Sequence, residues 1–237
     1  MTFSDNLSDL ERCINSIDLQ KEQVEIIIID NLNSVKIRNF AKSREGVSYY
    51  SLPNPGFGAG HNFASDKFAL NGHRVYLNPD IEMYPYCLEK IKLCFFENKD
   101  YLLLSPQLIN LDGTRQKFIR NFPSILNIFR RIIGLQEDIQ LNLSDKVQSV
   151  DYINGAFFVL SEYVNPKIAK YDEDYFLYLE DFDLCHRISK FGKVGVVLQA
   201  FALHAHARSS RKSVKLMLIH LRSLFIFWKK FGLFKRR

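Results

Sequence analysis

The run of β-branched residues that ends at Asp30 constrains the fold more than any other segment. Residues 24–29 read VEIIII and are almost wholly apolar, and the run stops at Asp30 and Asn31. A strand buried on both faces of a parallel sheet has this composition, because neither face meets water. Before it, residues 5–19 carry apolar side chains at spacings of three and four, which predicts an amphipathic helix. The two segments together indicate an α/β protein.

The rest of the chain alternates helical and extended patterns in the same way. Its 237 residues are 47% hydrophobic, which supports one large core and excludes a disordered chain. We predict a main domain over residues 1–212 and a basic amphipathic helix and tail over 213–237. Further helices are predicted over 35–43, from about 61, and over 86–97, and further strands over 47–51, 75–77, 102–105, 150–160 and 194–198. The less regular segment 115–149 is interpreted as a mobile region over a binding site.

Charge and cysteine usage narrow the partner and the compartment. The net charge of +6 and the pI of about 9.0 suit an anionic partner, although much of the excess follows Arg208. The four cysteines form no CxxC pair, which is typical of reduced thiols in a cytosolic protein. Met1 leads into a polar segment, so neither a signal peptide nor an N-terminal anchor is predicted.

The last helical segment, residues 213–231, is apolar around most of its circumference. Lys215, His220 and Arg222 interrupt it too often for a transmembrane span. Its Phe and Trp residues and the terminal lysines and arginines instead suit an anionic membrane surface. The alternative is a helix that packs on the main domain.

An acidic cluster follows an apolar stretch late in the main domain. Residues 175–187 read YFLYLEDFDLCHR, so Glu180, Asp181 and then Asp183 emerge from an apolar segment. A carboxylate in such surroundings can act as a general base or hold a metal. Alternatively, the cluster is the acidic first turn of a helix, where the helix dipole favours anions.

Two more carboxylates stand at the ends of predicted strands. Asp30 lies beyond the carboxyl end of a buried strand, where ligands bind in open α/β sheets, but an Asx turn would explain it equally well. The sequence Asn78-Pro79-Asp80 ends strand 75–77. From that position Asp80 can hold a divalent cation, and the alternative is a plain turn.

Glycines and histidines add two further candidate segments. Residues 54–62 read NPGFGAGHN, in which alternate glycines let the backbone approach a ligand closely. The helix predicted to follow offers its N–H groups to phosphate or sugar oxygens. His204 and His206 are one residue apart on an extended segment and so face opposite sides, which allows at most one of them to meet a site.

The ordered set of these segments is more specific than any one of them. The segments IIIIDN, NPGFGAGHN, YLNPDI, DYINGAFF, FLYLEDFDLCHR and HAHARSS resemble the inverting family 2 glycosyltransferases of the GT-A fold, over roughly residues 3–230. The similarity is greatest to the bacterial rhamnosyltransferase-like enzymes that build O-antigen, capsule and other surface polysaccharides. It implies a Rossmann-like fold with a mixed, mainly parallel sheet flanked by helices. It also implies sugar transfer from a nucleotide-sugar donor to a glycan or a polyprenyl-diphosphate-linked acceptor.

The resemblance assigns roles to individual residues. Asp181 would be the catalytic base, and Glu180 an orienting or acceptor-binding group. Asp80, at the family's DxD position, and His204 rather than His206 would bind Mg²⁺ or Mn²⁺. The donor, a UDP-, dTDP- or GDP-sugar, would be bound by Asp30 at the nucleobase and by Asn54, Gly56, Gly58, Gly60, Asn62 and Asn78. The acceptor side would be formed by Gly155, Ala156 and Asp183.

These roles agree with the chemistry of an inverting transfer. One base without a second, nucleophilic carboxylate implies direct displacement with inversion. A cation would stabilise the charge on the departing diphosphate. The implied location is the cytoplasm, with peripheral attachment at the inner face of the plasma membrane.

Two other classes of function are consistent with parts of the sequence. A sugar-nucleotide-binding protein without catalysis would share the donor site. A nucleic-acid-binding protein would account for the pI and for the basic, aromatic segment 115–131. The second class leaves the acidic sites unexplained, so no nucleic acid partner is predicted.

The N-terminal segment differs from the family's pattern. Similar proteins begin with a buried strand ahead of the helix predicted here over residues 5–19, whereas residues 1–3 are too few for a strand of five or six. We therefore expect the sheet to lack its first strand. One edge of the strand at residues 24–29 would then be unpaired, and donor binding would be weak.

Overall fold

Helices and strands alternate along most of the chain. The fold is that of a computed structural model, which describes residues 1–2, 5–68, 72–116, 123–132, 135, 142, 144–205 and 213–233. The helices are α1 (Leu7–Asp18), α2 (Val35–Lys42), α3 (Phe57–Lys67), α4 (Cys87–Glu97), α5 (Ile125–Ile132), α6 (Pro166–Ala169), α7 (Glu180–Ile188) and α8 (Val214–Phe231). The strands are β1 (Ile26–Asp30), β2 (Val47–Ser51), β3 (Arg74–Leu77), β4 (Ile81–Met83), β5 (Tyr101–Ile109), β6 (Val147–Ser149), β7 (Phe157–Leu160) and β8 (Lys193–His204).

The strands form two sheets. Strands β1 and β2 pair in parallel, and the second sheet has the order β3-β7-β5-β8-β4, with β6 also pairing with β8. In the second sheet β5 and β8 are parallel, and the other pairs are antiparallel. The predicted mixed α/β sheet is confirmed, with more antiparallel pairs than the sequence indicates. The reason is that a strand such as Phe157–Leu160, buried throughout, has no alternating pattern that would reveal its direction.

Local sequence explains several element boundaries. The apolar stripe of α1 buries Leu10, Cys13 and Ile14. Helix α2 begins after Ser34, whose side chain accepts a hydrogen bond from the N–H of Ile37. Ser213 caps α8 in the same way. These polar caps satisfy backbone donors that the first turn of a helix leaves without an intrahelical acceptor.

Four predicted boundaries are wrong. The strand predicted over residues 150–160 begins only at Phe157. Helix α3 begins at Phe57 rather than near His61, because tight packing of its glycines outweighs their low helix propensity. Strand β5 continues through Pro106 to Ile109, with a register shift at the proline, where pairing with β8 is interrupted. Strand β8 extends to His204, well beyond the predicted end at residue 198. Lys117, Arg120 and His206 lie outside the described residues.

The two sheets are separated where β1 and β3 face each other. A cavity of about 490 Å³ lies between these strands and is lined by residues 24–29 and 74–77. At its end, the N–H of Thr2 donates to the carbonyl of Ile29 (2.9 Å) and the Met1 ammonium donates to that of Leu77 (2.9 Å). Within the described residues, Thr2 alone pairs with this edge of β1. The expected incomplete pairing of this strand is therefore present.

The main core includes the last helix. Buried residues of β5, β7, β8, α4 and α7 form one cluster that also contains Leu224 and Phe227 of α8. A smaller cluster joins α1, α2 and β1. Helix α8 thus packs on the main domain, which was the second of the two alternatives given for this segment. Among the described residues, no helix is long and apolar enough to span a membrane.

Candidate active site

The acidic cluster opens helix α7 directly after a strained turn. Tyr178 and Leu179 have φ angles of 73° and 68°, in the left-handed region that residues other than glycine rarely adopt. Burial of Leu179 and complete burial of Tyr175 anchor the turn from the apolar side. Strain of this kind is held in place by surrounding packing and is common at functional sites. The turn delivers Glu180 and Asp181 as the first two residues of the helix.

The carboxylate of Asp181 is oriented by two donors from one segment. The hydroxyl of Tyr152 donates to Oδ2 at 2.7 Å, and the N–H of Gly155 donates to the same oxygen at 3.0 Å. Oδ1 accepts from the N–H of Phe182 at 2.9 Å. A Cβ atom at position 155 would lie 3.3 Å from both Cβ and Oδ2 of Asp181. Such a contact is tighter than most Cβ contacts, so glycine at this position favours the close approach of the backbone to the carboxylate.

Aromatic packing holds Tyr152 in place. Its ring stacks on Phe182, with ring centroids 3.4 Å apart and planes 2° from parallel. Phe182 in turn contacts Phe227 of α8 edge to face, with a centroid distance of 6.3 Å. A contiguous set of rings therefore joins the last helix to the side chain that orients Asp181. No pattern in the sequence singled out Tyr152.

Glu180 has a different environment from its neighbour. It is buried, and its Oε2 has no hydrogen-bond partner among the described residues. Burial, and then the charge of Asp181, raise the pKa of Glu180 well above its usual range. Burial therefore favours the protonated form of Glu180, whereas the oxygens of Asp181 accept several hydrogen bonds. This division suits the predicted roles of base and orienting group.

The predicted metal ligands lie side by side at the edge of the second sheet. Residue 81 pairs with residue 204, the N–H of Ala205 donates to the carbonyl of Asp80 (3.1 Å), and Nε2 of His204 lies 3.4 Å from Oδ2 of Asp80. On the other side of the ring, Oε1 of Gln116 lies 2.9 Å from Nδ1, while the Gln116 amide donates to the carbonyl of His204. Because the Gln116 oxygen can only accept, Nδ1 donates to it in this arrangement, and Nε2, the nitrogen that is predicted to bind the metal, faces Asp80.

The donor set fits a divalent cation that is shared with a substrate. Mg²⁺ is usually bound by one or two carboxylates together with substrate phosphates, and imidazole nitrogen also suits Mn²⁺. In the described part of the chain, no group of three or more His, Cys, Asp or Glu side chains is arranged to hold a metal. Asp80 and His204 would therefore bind the ion jointly with the diphosphate. Gln116, which orients His204, was missed because a lone glutamine 88 residues away carries no signal.

One short segment connects the two halves of the site. The N–H of Asn78, which begins the turn to Asp80, donates to the carbonyl of Ala156 at 2.9 Å. The adjacent Gly155 contacts Asp181. The structure thus brings the predicted base, the Asn78-Pro79-Asp80 turn and the Gly155-Ala156 pair together around β7.

Asp30 has a complete set of hydrogen bonds within the protein. Its Oδ1 accepts from the N–H groups of Leu32 (2.8 Å) and Asn33 (3.1 Å). Its Oδ2 accepts from the N–H of Ser34 (2.7 Å) and from the hydroxyl of Tyr49 (2.8 Å). A carboxylate has about four acceptor positions, so these four donors use them all. The contacts match the Asx-turn alternative, and the nucleobase contact stays a prediction.

The glycine-rich loop approaches protein rather than open space. A Cβ at Gly56, whose φ is 110°, would lie 2.6 Å from the carbonyl oxygen of Phe176, and one at Gly58 would lie 2.6 Å from Cβ of Tyr171. A Cβ at Gly60 would clash with Sδ of Met1. These glycines let the start of α3 pack against the segment that leads to Glu180. The predicted donor contacts of the loop stay predictions.

Two other predicted binding residues also make internal contacts. Asn62 donates to the carbonyl of Tyr171 (2.9 Å) and to Glu173 (2.8 Å), and it accepts from the N–H of Tyr171. Asp183 is buried and forms an ion pair with Arg187 one turn along α7. Asn54 adopts a positive φ of 52° in the turn before the glycines. The roles of Asn62 and Asp183 seen here are structural, and their ligand contacts stay predictions.

Similar proteins were found by sequence. The sequence model described as "Glycosyl transferase family 2" matches residues 2–160. "Rhamnosyltransferase WbbL" of Escherichia coli is 28% identical over 233 residues, covering 91% of this chain and 86% of that protein. "Low-salt glycan biosynthesis hexosyltransferase Agl10" of Haloferax volcanii is 26% identical over 169 residues, covering 69% of this chain and 52% of that protein. "N-acetylglucosaminyl-diphospho-decaprenol L-rhamnosyltransferase" of Mycobacterium tuberculosis is 24% identical over 65% of this chain. This chain spans about half the length of the last two relatives.

Solved structures show the same architecture. "Crystal structure of GalNAc-T7 with UDP, GalNAc and Mn2+" superposes with a TM-score of 0.71 at 15% identity, covering 97% of this chain and 47% of that chain. "Crystal structure of S. aureus TarS 1-349" gives a TM-score of 0.59 at 14% identity, covering 93% and 63% respectively. These likenesses confirm the GT-A-type fold. Since the family model matches more than half of the residues, the chain belongs to glycosyl transferase family 2, in its rhamnosyltransferase-like subgroup.

Proposed function

We propose that this glycosyltransferase moves a sugar, with inversion, from a nucleotide-sugar donor to a glycan or polyprenyl-diphosphate-linked acceptor in bacterial surface polysaccharide synthesis. The observation that carries the proposal is the geometry of Asp181. Two donors, the Tyr152 hydroxyl and the Gly155 N–H, fix one of its oxygens at the start of α7. The same segment, through Ala156, holds the turn that presents Asp80.

The reaction assigns a separate task to each half of the site. Asp181 accepts the proton of the acceptor hydroxyl as that oxygen forms a bond to the anomeric carbon. The bond from this carbon to the diphosphate breaks, and the nucleoside diphosphate leaves with the electron pair. General-base catalysis of this kind contributes about two to four orders of magnitude. Burial favours the protonated form of Glu180, and in that form its carboxyl group can donate a hydrogen bond to acceptor or sugar.

Asp80 and His204 would hold a divalent cation, Mg²⁺ or Mn²⁺. When bound, the ion supplies Lewis-acid stabilisation of the charge on the departing diphosphate. Gln116 keeps the His204 ring in the orientation that presents Nε2 toward Asp80. The structurally similar GalNAc-T7 was crystallised with UDP, GalNAc and Mn2+, and this supports the choice of ligand class.

The proposed location is the cytoplasm, with peripheral attachment to the plasma membrane. The name of the Mycobacterium tuberculosis relative includes a decaprenol-linked substrate, and this supports a lipid-linked acceptor here. A polyprenyl chain keeps its acceptor at a bilayer, so the enzyme must work at that surface.

A donor panel with one variant tests the proposal. The purified protein is incubated with labelled UDP-, dTDP- and GDP-sugars, Mn²⁺ or Mg²⁺ and a lipid-linked acceptor, and product and its anomeric configuration are determined. We expect an inverted product with one donor class and a loss of about two to four orders of magnitude in Asp181→Asn, with donor binding retained. Metal-dependent donor binding without product would indicate the binding-only alternative, and near-normal turnover of Asp181→Asn would refute the assigned base.

A further inference from the structure

Helix α8 has a buried inner face and an exposed outer face. The inner face packs against the main domain. Phe227 is fully buried and Leu224 is buried. The hydroxyl of Ser223 donates to the carbonyl of Leu177 (2.8 Å), and the indole N–H of Trp228 donates to that of Pro123 (2.9 Å). The inner face thus has both apolar and polar partners.

The outer face is an exposed apolar stripe. Its side chains are 52–70% exposed and are those of Val214, Met217, Leu218, Leu221 and Phe225. Their spacings of three, four and seven place them on one side of the helix, over three turns. Scattered apolar residues on a surface need no explanation, but a contiguous stripe of this kind marks an interaction site.

A row of positive charge runs beside the stripe. Lys215, Arg222 and Lys229 are exposed and lie seven residues apart, so they align along the helix next to the apolar side chains. The helix, VKLMLIHLRSLFIFWKKF, contains no Asp or Glu. An apolar stripe flanked by cations complements a surface that is apolar inside and anionic at its boundary.

We propose that the outer face of α8 lies in the headgroup region of an anionic bilayer, with the Lys215, Arg222 and Lys229 row against the lipid phosphates. This proposal rests on the proposed function, because that function includes the lipid-linked acceptor. It also changes which residues meet the lipid. The sequence indicates the Phe and Trp residues in general, whereas Phe227 and Trp228 are engaged with the protein and Phe225 is exposed.

The position of α8 explains how such docking would serve the reaction. The ring of His220 lies 5.0 Å from that of Tyr178, and Ser223 holds the carbonyl of Leu177. Both partners belong to the turn that delivers Glu180 and Asp181. A bilayer on the outer face would therefore lie one helix diameter, about 10 Å, from the segment that carries the base. A lipid-linked acceptor could reach that base without leaving the membrane.

Vesicle sedimentation tests the proposal without any turnover. Full-length protein is mixed with vesicles of phosphatidylcholine alone or with phosphatidylglycerol added, at low and high salt. We expect binding to the anionic vesicles only, with release at about 0.5 M NaCl because surface charge is screened. Phe225→Glu should weaken partitioning more than tenfold. Lys215→Gln, Arg222→Gln and Lys229→Gln combined should weaken it about a hundredfold.

Matched variants separate the face from general effects of charge and hydrophobicity. Phe96→Glu removes a phenylalanine that is 75% exposed on α4, against 68% for Phe225. Lys36→Gln, Lys42→Gln and Lys99→Gln combined remove the same charge from other exposed positions. Both controls should bind vesicles like the wild type. All changed side chains are exposed, and unchanged melting temperatures check the fold.

Four outcomes would overturn the proposal, and three of them concern what the stripe binds. These are equal binding to neutral and anionic vesicles, wild-type binding by Phe225→Glu, and self-association in sedimentation velocity that Phe225→Glu abolishes while vesicles are not bound. The last result would assign the stripe to a second copy of the chain. Loss of vesicle binding with intact transfer to a soluble acceptor would refute only this proposal. Vesicle binding without any transfer would refute only the proposed function.

Discussion

Replacing Tyr152 by phenylalanine isolates one hydrogen bond that orients Asp181, the proposed base. The variant removes the hydroxyl that donates to Oδ2 of Asp181 at 2.7 Å and keeps the ring that stacks on Phe182. A hydrogen bond to a charged group contributes about 1.5–3 kcal/mol. At about 1.4 kcal/mol per tenfold change, losing this bond would shift the pH at which the carboxylate is half protonated by about one to two units. Gly155 still donates to the same oxygen, so we expect the lower end of that range.

The direction of the effect follows from which form the donor favours. The Tyr152 hydroxyl stabilises ionised Asp181, so its loss favours the protonated carboxyl, which cannot act as a base. The acidic limb of the pH profile of kcat/KM should therefore move up by about one unit, with about a tenfold loss on that limb and recovery at higher pH. Donor affinity should be unchanged.

The assay is the initial rate of transfer between pH 5 and pH 9 for the wild type and the variant. Tyr101→Phe, at a buried tyrosine at the start of β5, serves as the control and should leave the profile unmoved. A loss in Tyr152→Phe that is the same at every pH would show that the residue acts through packing alone. An unchanged profile would show that the hydrogen bond does not orient the catalytic carboxylate.

Three further predictions concern the metal ligands, Asp30 and the cavity. Asp80→Ala should abolish the Mn²⁺ dependence of nucleotide binding in calorimetry. Gln116→Ala should weaken metal affinity about 10–100-fold, because His204 loses its orienting partner. Unchanged binding in both variants would place the metal ligands elsewhere. Asp30→Ala should lower the free energy of unfolding by about 2–4 kcal/mol in urea titration, because it leaves three N–H groups of the turn, of which that of Ser34 is buried, without their acceptor. A weaker nucleotide affinity at unchanged stability would instead support the nucleobase contact. A five-residue Val- and Ile-rich segment fused ahead of Met1 should raise the melting temperature by several degrees, because it can pair with both β1 and β3 across the cavity. A fusion of equal length that contains prolines is the control. Equal melting temperatures of the two fusions would refute the pairing.

The predictable part of the molecule is the part that local chemistry determines. The buried run before Asp30, the amphipathic pattern of α1 and the acidic opening of α7 each depend on burial or dipole effects within a few residues. The sequence also predicts that Asp80 and His204 lie at one site, although only through the resemblance to the family. Their separation of 3.4 Å follows from residue 81 pairing with residue 204, which no local pattern encodes.

What the sequence could not provide is the identity of distant partners. Tyr152 and Gln116 act through single hydrogen bonds to residues 29 and 88 positions away, and a lone polar or aromatic side chain gives no sign of such a contact. Asp30 shows the converse limit, because one carboxylate at the end of a strand suits both a ligand and a turn. Its four internal hydrogen bonds, which match the turn, become visible only once the fold is known.

The glycine-rich loop shows how one physical reason can serve two different purposes. Alternate glycines do permit close approach, as the sequence indicates, and the approach here is to the backbone of Phe176 and the side chain of Tyr171. Both belong to the segment that ends in the strained turn before Glu180. Packing of both α3 and α8 against that segment helps to hold Tyr178 and Leu179 in their unfavourable φ region. Substituting Gly56 or Gly58 would therefore disturb Asp181, the proposed base, through this segment, since the nearest neighbours of the two glycines are Phe176 and Tyr171.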